Sequence, residues 1–114
     1  MYKYFDIEEF NCSHTGANEM DETFLHDLDE LRQRCGFPFK INSGYRDATH
    51  PAEASKETPG THSKGIAADI AVNGGAQRHT IVKEAMAMNF EGIGIAKGFV
   101  HVDARRTTPV LWSY

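Results

Sequence analysis

The sequence predicts an α+β domain in which a small, mainly antiparallel sheet carries helices on one face. Two stretches have the apolar spacing of helices, and four short stretches have the alternation or the β-favouring residues of strands. The last two strand stretches are separated by a hairpin-sized connection, which favours antiparallel pairing. A chain of 114 residues, of which 40% are hydrophobic, is expected to form one domain over residues 1–114.

The first helix is predicted to follow Asp21 and to end at Gly36. Asp is a preferred N-cap residue, and Gly commonly follows the last turn of a helix. Glu22 in the first turn and two arginines in the last turn suit the helix dipole. The apolar side of this helix carries Phe24, Leu25, Leu28, Leu31 and Cys35.

After this helix, residues 37–42 alternate like a strand. Residues 47–61 are polar and are interrupted by Pro51, Pro59 and Gly60, which predicts a long loop of the kind usually retained for function. The loop leads directly into His62.

The second half of the chain alternates between strands and a helix. Residues 67–72 read as a buried strand, and the turn at 73–75 leads into a second helix. Residues 92–95 and 99–103 are the last two predicted strands, joined through 96–98. The second helix holds Ile81, Val82, Ala85, Met86 and Met88.

Composition argues against several classes of partner. The formal net charge is −4, and the scattered Lys and Arg form no basic stripe, so we expect no nucleic-acid partner. Runs of about 18 apolar residues are absent, so we expect no membrane association. The N-terminus lacks the apolar region of a signal peptide, so we expect synthesis in the cytoplasm. Cys12 and Cys35 are expected to be reduced and largely buried, although a pairing between them stays open.

A polar constellation stands out on the predicted strands. Side chains alternate across a strand, so Asp69 faces away from the apolar side, and His101 and Asp103 point together. A carboxylate within an apolar strand is costly to bury unless a cation accompanies it. Pairing with Arg46 or Lys64, or a turn cap, is the alternative for Asp69. Asp69 and His101, together with His62, offer a His₂Asp ligand set for one zinc ion, with the fourth coordination position left open.

Three motifs occur in a characteristic order: residues 43–46 (SGYR), residues 62–70 (HSKGIAADI) and residues 99–103 (FVHVD). Together they resemble the zinc D-alanyl-D-alanine carboxypeptidase family, with its hedgehog-like fold, and especially its short phage-type members. The resemblance covers nearly the whole chain, and the His-x6-Asp element with its internal glycine is its more specific part. It implies a zinc peptidase acting on bacterial cell-wall peptides, a group that includes D,D-carboxypeptidases, dipeptidases and the endopeptidases of phage endolysins.

The resemblance also implies roles for individual residues. His62, Asp69 and His101 would bind one Zn²⁺ per chain, which would activate water for attack on an amide. Arg46 would bind substrate, since a guanidinium can hold a carboxylate or carbonyl oxygen through two parallel hydrogen bonds. A structural salt bridge closing the long loop is the alternative for Arg46. Ser43 would orient the carbonyl or only finish a turn.

The general base departs from the family pattern. Many relatives place Glu three residues before the last histidine or a second histidine two before it, and here those positions are Gly98 and Phe99. Asp103 is the nearest carboxylate, and it would serve either as the base or as a hydrogen-bond partner of a ligand histidine. His50 is a further candidate acid, base or substrate contact. The other histidines are not expected to act: His14, His26 and His79.

The expected function is that of a monomeric zinc metallopeptidase that hydrolyses peptide bonds in peptidoglycan. It would act on stem peptides, as a D,D-carboxypeptidase or an endolysin-like endopeptidase, at the bacterial cell wall after release or lysis. The alternative is a non-catalytic hedgehog-like domain that keeps zinc and binds wall peptide or a protein. A metal-dependent nuclease is disfavoured by the acidic net charge.

Overall fold

The α+β prediction is confirmed by the computed structural model, which describes residues 2–53 and 60–114. A short 3₁₀ helix spans Ile7–Phe10. Two α-helices follow in the described residues, α1 at Glu22–Cys35 and α2 at Gly75–Ala87. The strands are β1 (Ile41–Ser43), β2 (Ala67–Ala71), β3 (Gly92–Ile95), β4 (Phe99–Asp103) and β5 (Val110–Ser113).

The strands form one sheet in the order β1-β2-β4-β3-β5. The pairs β1/β2, β2/β4 and β4/β3 are antiparallel, and β3/β5 is parallel. The predicted hairpin joins β3 to β4, and its turn is closed by a 3.0 Å hydrogen bond from Ala96 N to Phe99 O. In the β2/β4 ladder, Asp69 lies directly opposite His101. This register brings two of the candidate ligands together at the middle of the sheet.

Helix α1 has the predicted ends. The Asp21 carboxylate accepts a 2.9 Å hydrogen bond from Phe24 N, and Gly36 adopts the left-handed conformation with φ 78°. The predicted apolar side is buried at Phe24, Leu25, Leu28 and Leu31, whereas Cys35 is half-buried. Each fully buried side chain of this size contributes roughly 1.5–3 kcal/mol to stability. Helix α1 is therefore held mainly by its contact with the core.

The sheet separates the core from the polar constellation. On the core face, Ile70, Val100 and Val102 pack in the same apolar cluster as the buried residues of both helices. Asp69, His101 and Asp103 project from the opposite face, as the alternation along β2 and β4 predicts. The core therefore fixes the backbone from which the polar side chains project.

Three details differ from the sequence prediction. Strand β1 covers only Ile41–Ser43 instead of 37–42, and Pro38, which has no N–H to donate to a ladder, lies outside it. Strand β5 was not predicted, and it joins the sheet through a partner distant in sequence. In α2, Met86 is 49% exposed and does not belong to the core.

The predicted long loop is described only in part. Residues 47–53 and 60–61 belong to the described residues, and residues 54–59, including Pro59, lie outside them. Both cysteines are free, with Cys12 buried and Cys35 half-buried. Within residues 2–53 and 60–114, neither helix has the length and apolar character needed to cross a membrane.

Candidate metal centre

His62 is held by the turn that follows the long loop. Gly65 ends this turn with φ +73°, and a Cβ at this position would overlap the backbone carbonyl oxygen of Glu19. Gly65 O accepts a 2.8 Å hydrogen bond from Asp21 N, which ties the turn to the start of α1. Steric restriction therefore explains why the internal residue of the His-x6-Asp element is a glycine.

The ring of His62 has a defined tautomer. Its Nδ1 lies 2.8 Å from Gly44 O, and a carbonyl oxygen can only accept a hydrogen bond, so Nδ1 carries the hydrogen. In the neutral ring, Nε2 then presents its lone pair, and this atom lies 3.3 Å from Asp69 Oδ1. His62 is thus oriented as a ligand through Nε2.

His101 is oriented in the same way from the other side. Its Nε2 lies 2.7 Å from Asp103 Oδ2, and its Nδ1 lies 3.0 Å from Asp69 Oδ1. Asp103 is fully buried and also accepts hydrogen bonds from Arg105 Nε at 2.9 Å and Arg105 Nη2 at 2.8 Å. Gly92 lies opposite Asp103, where a Cβ would overlap the carboxylate.

The separations of Asp69 Oδ1 from both histidine donor atoms are close to those of ligands in a tetrahedral site. Two ligands at ordinary zinc distances from one ion lie about 3.3 Å apart in a tetrahedral site. The observed separations from Asp69 Oδ1 are 3.3 Å to His62 Nε2 and 3.0 Å to His101 Nδ1. All three residues are buried, and their donor atoms lie within 4.8 Å of one another. A carboxylate oxygen facing two imidazole lone pairs requires a cation or an added proton, so the donor set fits a metal.

The pKa values follow from burial opposed by hydrogen bonds. Burial raises the pKa of Asp69. Hydrogen bonds and charge from His101 and His62 together lower this pKa by more than burial raises it, so it lies well below its usual range. Burial also raises the pKa of Asp103, whereas His101 and Arg105 lower it to a net value of about 2. For His101, burial lowers the pKa, and bonds to Asp103 and Asp69 raise it above its usual value. Both carboxylates are therefore ionised at neutral pH.

Arg46 lies beside this cluster, with hydrogen bonds from two of its guanidinium nitrogens and an ion pair at the third. Nε donates to Ser43 Oγ at 3.1 Å, and Nη2 donates to Asp69 Oδ2 at 3.3 Å. Nη1 lies 3.7 Å from Glu53 Oε2. The side chain is still 21% exposed and faces the cleft. Arg46 therefore makes a salt bridge to the loop, as in the alternative role, and it also lies beside the candidate ligands, where substrate binding stays a prediction.

A cleft of about 550 Å³ contains the ligand cluster. Its lining includes the cations Arg46 and Lys64 and the aromatic side chains of Trp112 and Tyr114. The Trp112 ring lies 5.1 Å from that of His101, and the Arg105 guanidinium carbon lies 5.1 Å from the Trp112 ring. The cleft around the cluster is therefore lined by both cationic and aromatic side chains.

Not every predicted residue reaches the cleft. His62, Asp69 and His101 meet, Arg46 and Asp103 contact them, and Ser43 lies behind Arg46. His50 is not among the described cleft residues; its Nε2 lies 3.3 Å from Ser13 Oγ.

Sequence reasoning missed three residues at the site: Glu53, Arg105 and Trp112. The run of β-favouring residues at 110–113 after Pro109 is a signal that points to Trp112. No pattern in the sequence marks the other two.

Comparison with known families decides the wider assignment. The model of a family described as Peptidase M15 matches residues 3–103. The chain belongs to the peptidase M15 family. The resemblance to zinc D-alanyl-D-alanine carboxypeptidases is thereby confirmed. M15 is a family of zinc-dependent metallopeptidases, and the His-Asp-His cluster of this chain is suited to binding a metal ion. Comparison with curated proteins finds no match.

Proposed function

We propose that this M15 member is a zinc-dependent peptidase that hydrolyses peptide bonds in peptidoglycan stem peptides, as a D,D-carboxypeptidase or an endopeptidase. The observation that carries the proposal is the convergence of three donor atoms at one cleft: His62 Nε2, Asp69 Oδ1 and His101 Nδ1. Structural zinc sites normally have four protein ligands, whereas three ligands leave a position for water or substrate.

Zinc binding is assigned to these three side chains, with one ion per chain. When bound, Zn²⁺ supplies a Lewis acid that activates water and polarises the scissile carbonyl. Gly44 O accepts the hydrogen of His62 Nδ1, and Asp103 accepts that of His101 Nε2, so in each ring the other nitrogen is left to bind the metal. These contacts fix both tautomers before the metal arrives, which raises the affinity of such a site.

Arg46 is assigned to substrate binding. One N–H of its five donates to Ser43 and one to Asp69, so further N–H groups stay available on the exposed part of the guanidinium. A stem peptide offers carboxylates and carbonyl oxygens, which a planar guanidinium binds with defined geometry. Lys64 is exposed at the same cleft and adds a second cation for an anionic peptide.

Asp103 is assigned to orienting His101, not to accepting the proton of water. The carboxylate is fully buried, both of its oxygens are hydrogen-bonded, and it does not line the cleft. A general base needs to reach the proton that it accepts, directly or through one water. The burial and the hydrogen bonds of Asp103 therefore support the positioning role.

One observation favours a second candidate function. The described residues that line the cleft include no carboxylate or imidazole apart from the three candidate ligands. If no base is added to these described residues, the cleft suits a domain that retains zinc and binds wall peptide or a protein without cleaving it. The M15 assignment favours catalysis over this alternative.

Digestion of purified peptidoglycan tests the two functions against each other. The zinc-loaded protein is expected to create new amino or carboxyl termini, identified by mass spectrometry, and the bond cut will distinguish carboxypeptidase from endopeptidase. His101→Ala and the chelator-treated protein are the controls, and both are expected to be inactive. Co-sedimentation with the wall without new termini would instead establish the binding function.

We further propose that the protein acts as a monomer at the cell wall after release or lysis.

A further inference from the structure

We infer that Glu53 is a positioning residue that sets the orientation of Arg46 and joins it to the turn bearing His62. The inference rests on the proposed role of Arg46 in substrate binding. Glu53 is 3% exposed as a residue, and its side chain is 1% exposed, although it lies in a polar loop. A carboxylate is costly to bury without compensating contacts, so its surroundings indicate its role.

The two oxygens of Glu53 contact different parts of the site. Oε2 lies 3.7 Å from Arg46 Nη1, which is an ion pair without hydrogen-bond geometry. Oε1 accepts a 3.0 Å hydrogen bond from Gly60 N and lies 3.0 Å from Ser63 Oγ. One side chain therefore joins Arg46 to residues on both sides of His62.

The same region carries further links between Arg46 and the ligand turn. Arg46 N donates to His62 O at 3.2 Å, and Ser63 Oγ lies 2.7 Å from Arg46 O. The single hydroxyl hydrogen of Ser63 is thus shared between Arg46 O and Glu53. These contacts fix the backbone of Arg46. Glu53 connects the same turn to the guanidinium of Arg46.

Charge explains why this group is a carboxylate. Arg46 lies between Asp69 and Glu53, and Asp69 is a candidate metal ligand. When a cation shares the charge of Asp69, Glu53 becomes the main anion among the described residues that balances and holds Arg46. Without Glu53, the guanidinium is expected to keep its contacts to Ser43 and Asp69 but to lose its restraint at Nη1.

The variant Glu53→Gln tests this role, because it keeps the shape and the Oε1 acceptor but removes the charge. With a synthetic stem pentapeptide as substrate, KM is expected to rise on the order of tenfold, with kcat and zinc content little changed. In an Arg46→Lys background, Glu53→Gln is expected to have no further effect, since both changes act through one interaction. Glu30→Gln is the matched control, because it removes an exposed ion pair with Arg34 and is expected to leave KM unchanged.

A second measurement does not depend on catalysis. The side-chain Nη–H signals of Arg46 in the ¹⁵N NMR spectrum, identified by their absence in Arg46→Lys, are expected to exchange faster with solvent in Glu53→Gln, because Nη1 is the nitrogen that faces Glu53. If the wild-type protein cleaves no stem peptide, the proposed function fails, and this exchange rate alone decides the role of Glu53. Additive effects in the two backgrounds, or an unchanged exchange rate, would overturn the inference. If Glu53→Gln does not fold, Glu53→Asp is measured in the same way, and an unchanged KM and exchange rate there overturn it.

Discussion

Asp103 is bonded on both oxygens by its own chain, and this limits what it can do in a reaction. His101 Nε2 and two nitrogens of Arg105 lie within 2.9 Å of its oxygens. Asp103→Asn is expected to weaken zinc binding and activity together, by roughly 10–100-fold each, since the amide orients His101 less well. Zinc affinity by chelator competition and kcat/KM on the same preparation measure the two effects.

The opposite pattern would identify Asp103 as the base. Activity would then fall by on the order of 10²-fold or more while zinc affinity stayed normal, which is the usual scale of general acid–base catalysis.

The candidate ligands make a direct prediction at the residue scale. His62→Ala and His101→Ala are each expected to lose most of the bound zinc, because removing one of three ligands weakens a site severely. The wild-type protein is expected to contain about one zinc per chain by elemental analysis. His79→Ala is the matched control, since His79 is exposed on α2 and is expected to retain the full metal content. Full zinc content in both ligand variants would refute the site.

Arg46→Lys separates substrate binding from metal binding. The substitution keeps the positive charge but removes the planar fork that donates to Ser43 and Asp69. Hydrolysis of a stem peptide is expected to fall substantially while zinc content stays normal, as measured by kcat/KM and elemental analysis. Loss of zinc in this variant would show that Arg46 is architectural, and unchanged turnover would remove it from the site.

At the scale of elements, the turn between His62 and β2 depends on Gly65. Gly65→Ala combines a left-handed φ of +73° with an overlap on Glu19, so it is expected to destabilise the fold by more than about 2 kcal/mol and to weaken zinc binding. Gly36→Ala is the matched control, because Gly36 has φ +78° with nothing within 4 Å of a Cβ. Denaturant unfolding of both variants isolates the cost of the overlap. Equal destabilisation would mean that the close approach to Glu19 is unimportant.

The elements predicted from the sequence are those defined by local signals. Helix α1 has its own cap and stop, and β3 and β4 are neighbours joined by a short turn. The alternation along β2 and β4 also predicted which face carries the candidate ligands. Strand β5 was not predicted, although residues 110–113 are β-favouring, because a four-residue run does not by itself show that it pairs with β3. Glu53 and Arg105 were not predicted. Their contacts depend on how the long loop and the end of β4 pack in the folded protein, and sequence periodicity carries no information about this packing.

At the scale of the whole molecule, the metal would connect a turn to the middle of the sheet. His62 comes from a turn after the long loop, whereas Asp69 and His101 come from paired strands at the middle of the sheet. Zinc that binds only the folded protein adds a stabilisation that grows with the ratio of free metal to Kd, about 4 kcal/mol at 1,000 times Kd. Removing zinc with a chelator is therefore expected to lower Tm by on the order of 10 °C.

The chelator experiment has an internal control in the ligand variants. His101→Ala cannot hold the metal tightly, so its Tm is expected to change little when the chelator is added, whereas His79→Ala is expected to respond as the wild type does. Calorimetry on all three proteins, with zinc restored at the end, separates loss of metal from irreversible unfolding. A wild-type Tm that does not change on chelation would mean that the three side chains do not hold a cation in the folded protein. In that case the charge of Asp69 would be balanced by Arg46 and a protonated histidine, both of which already lie within 3.3 Å of its oxygens.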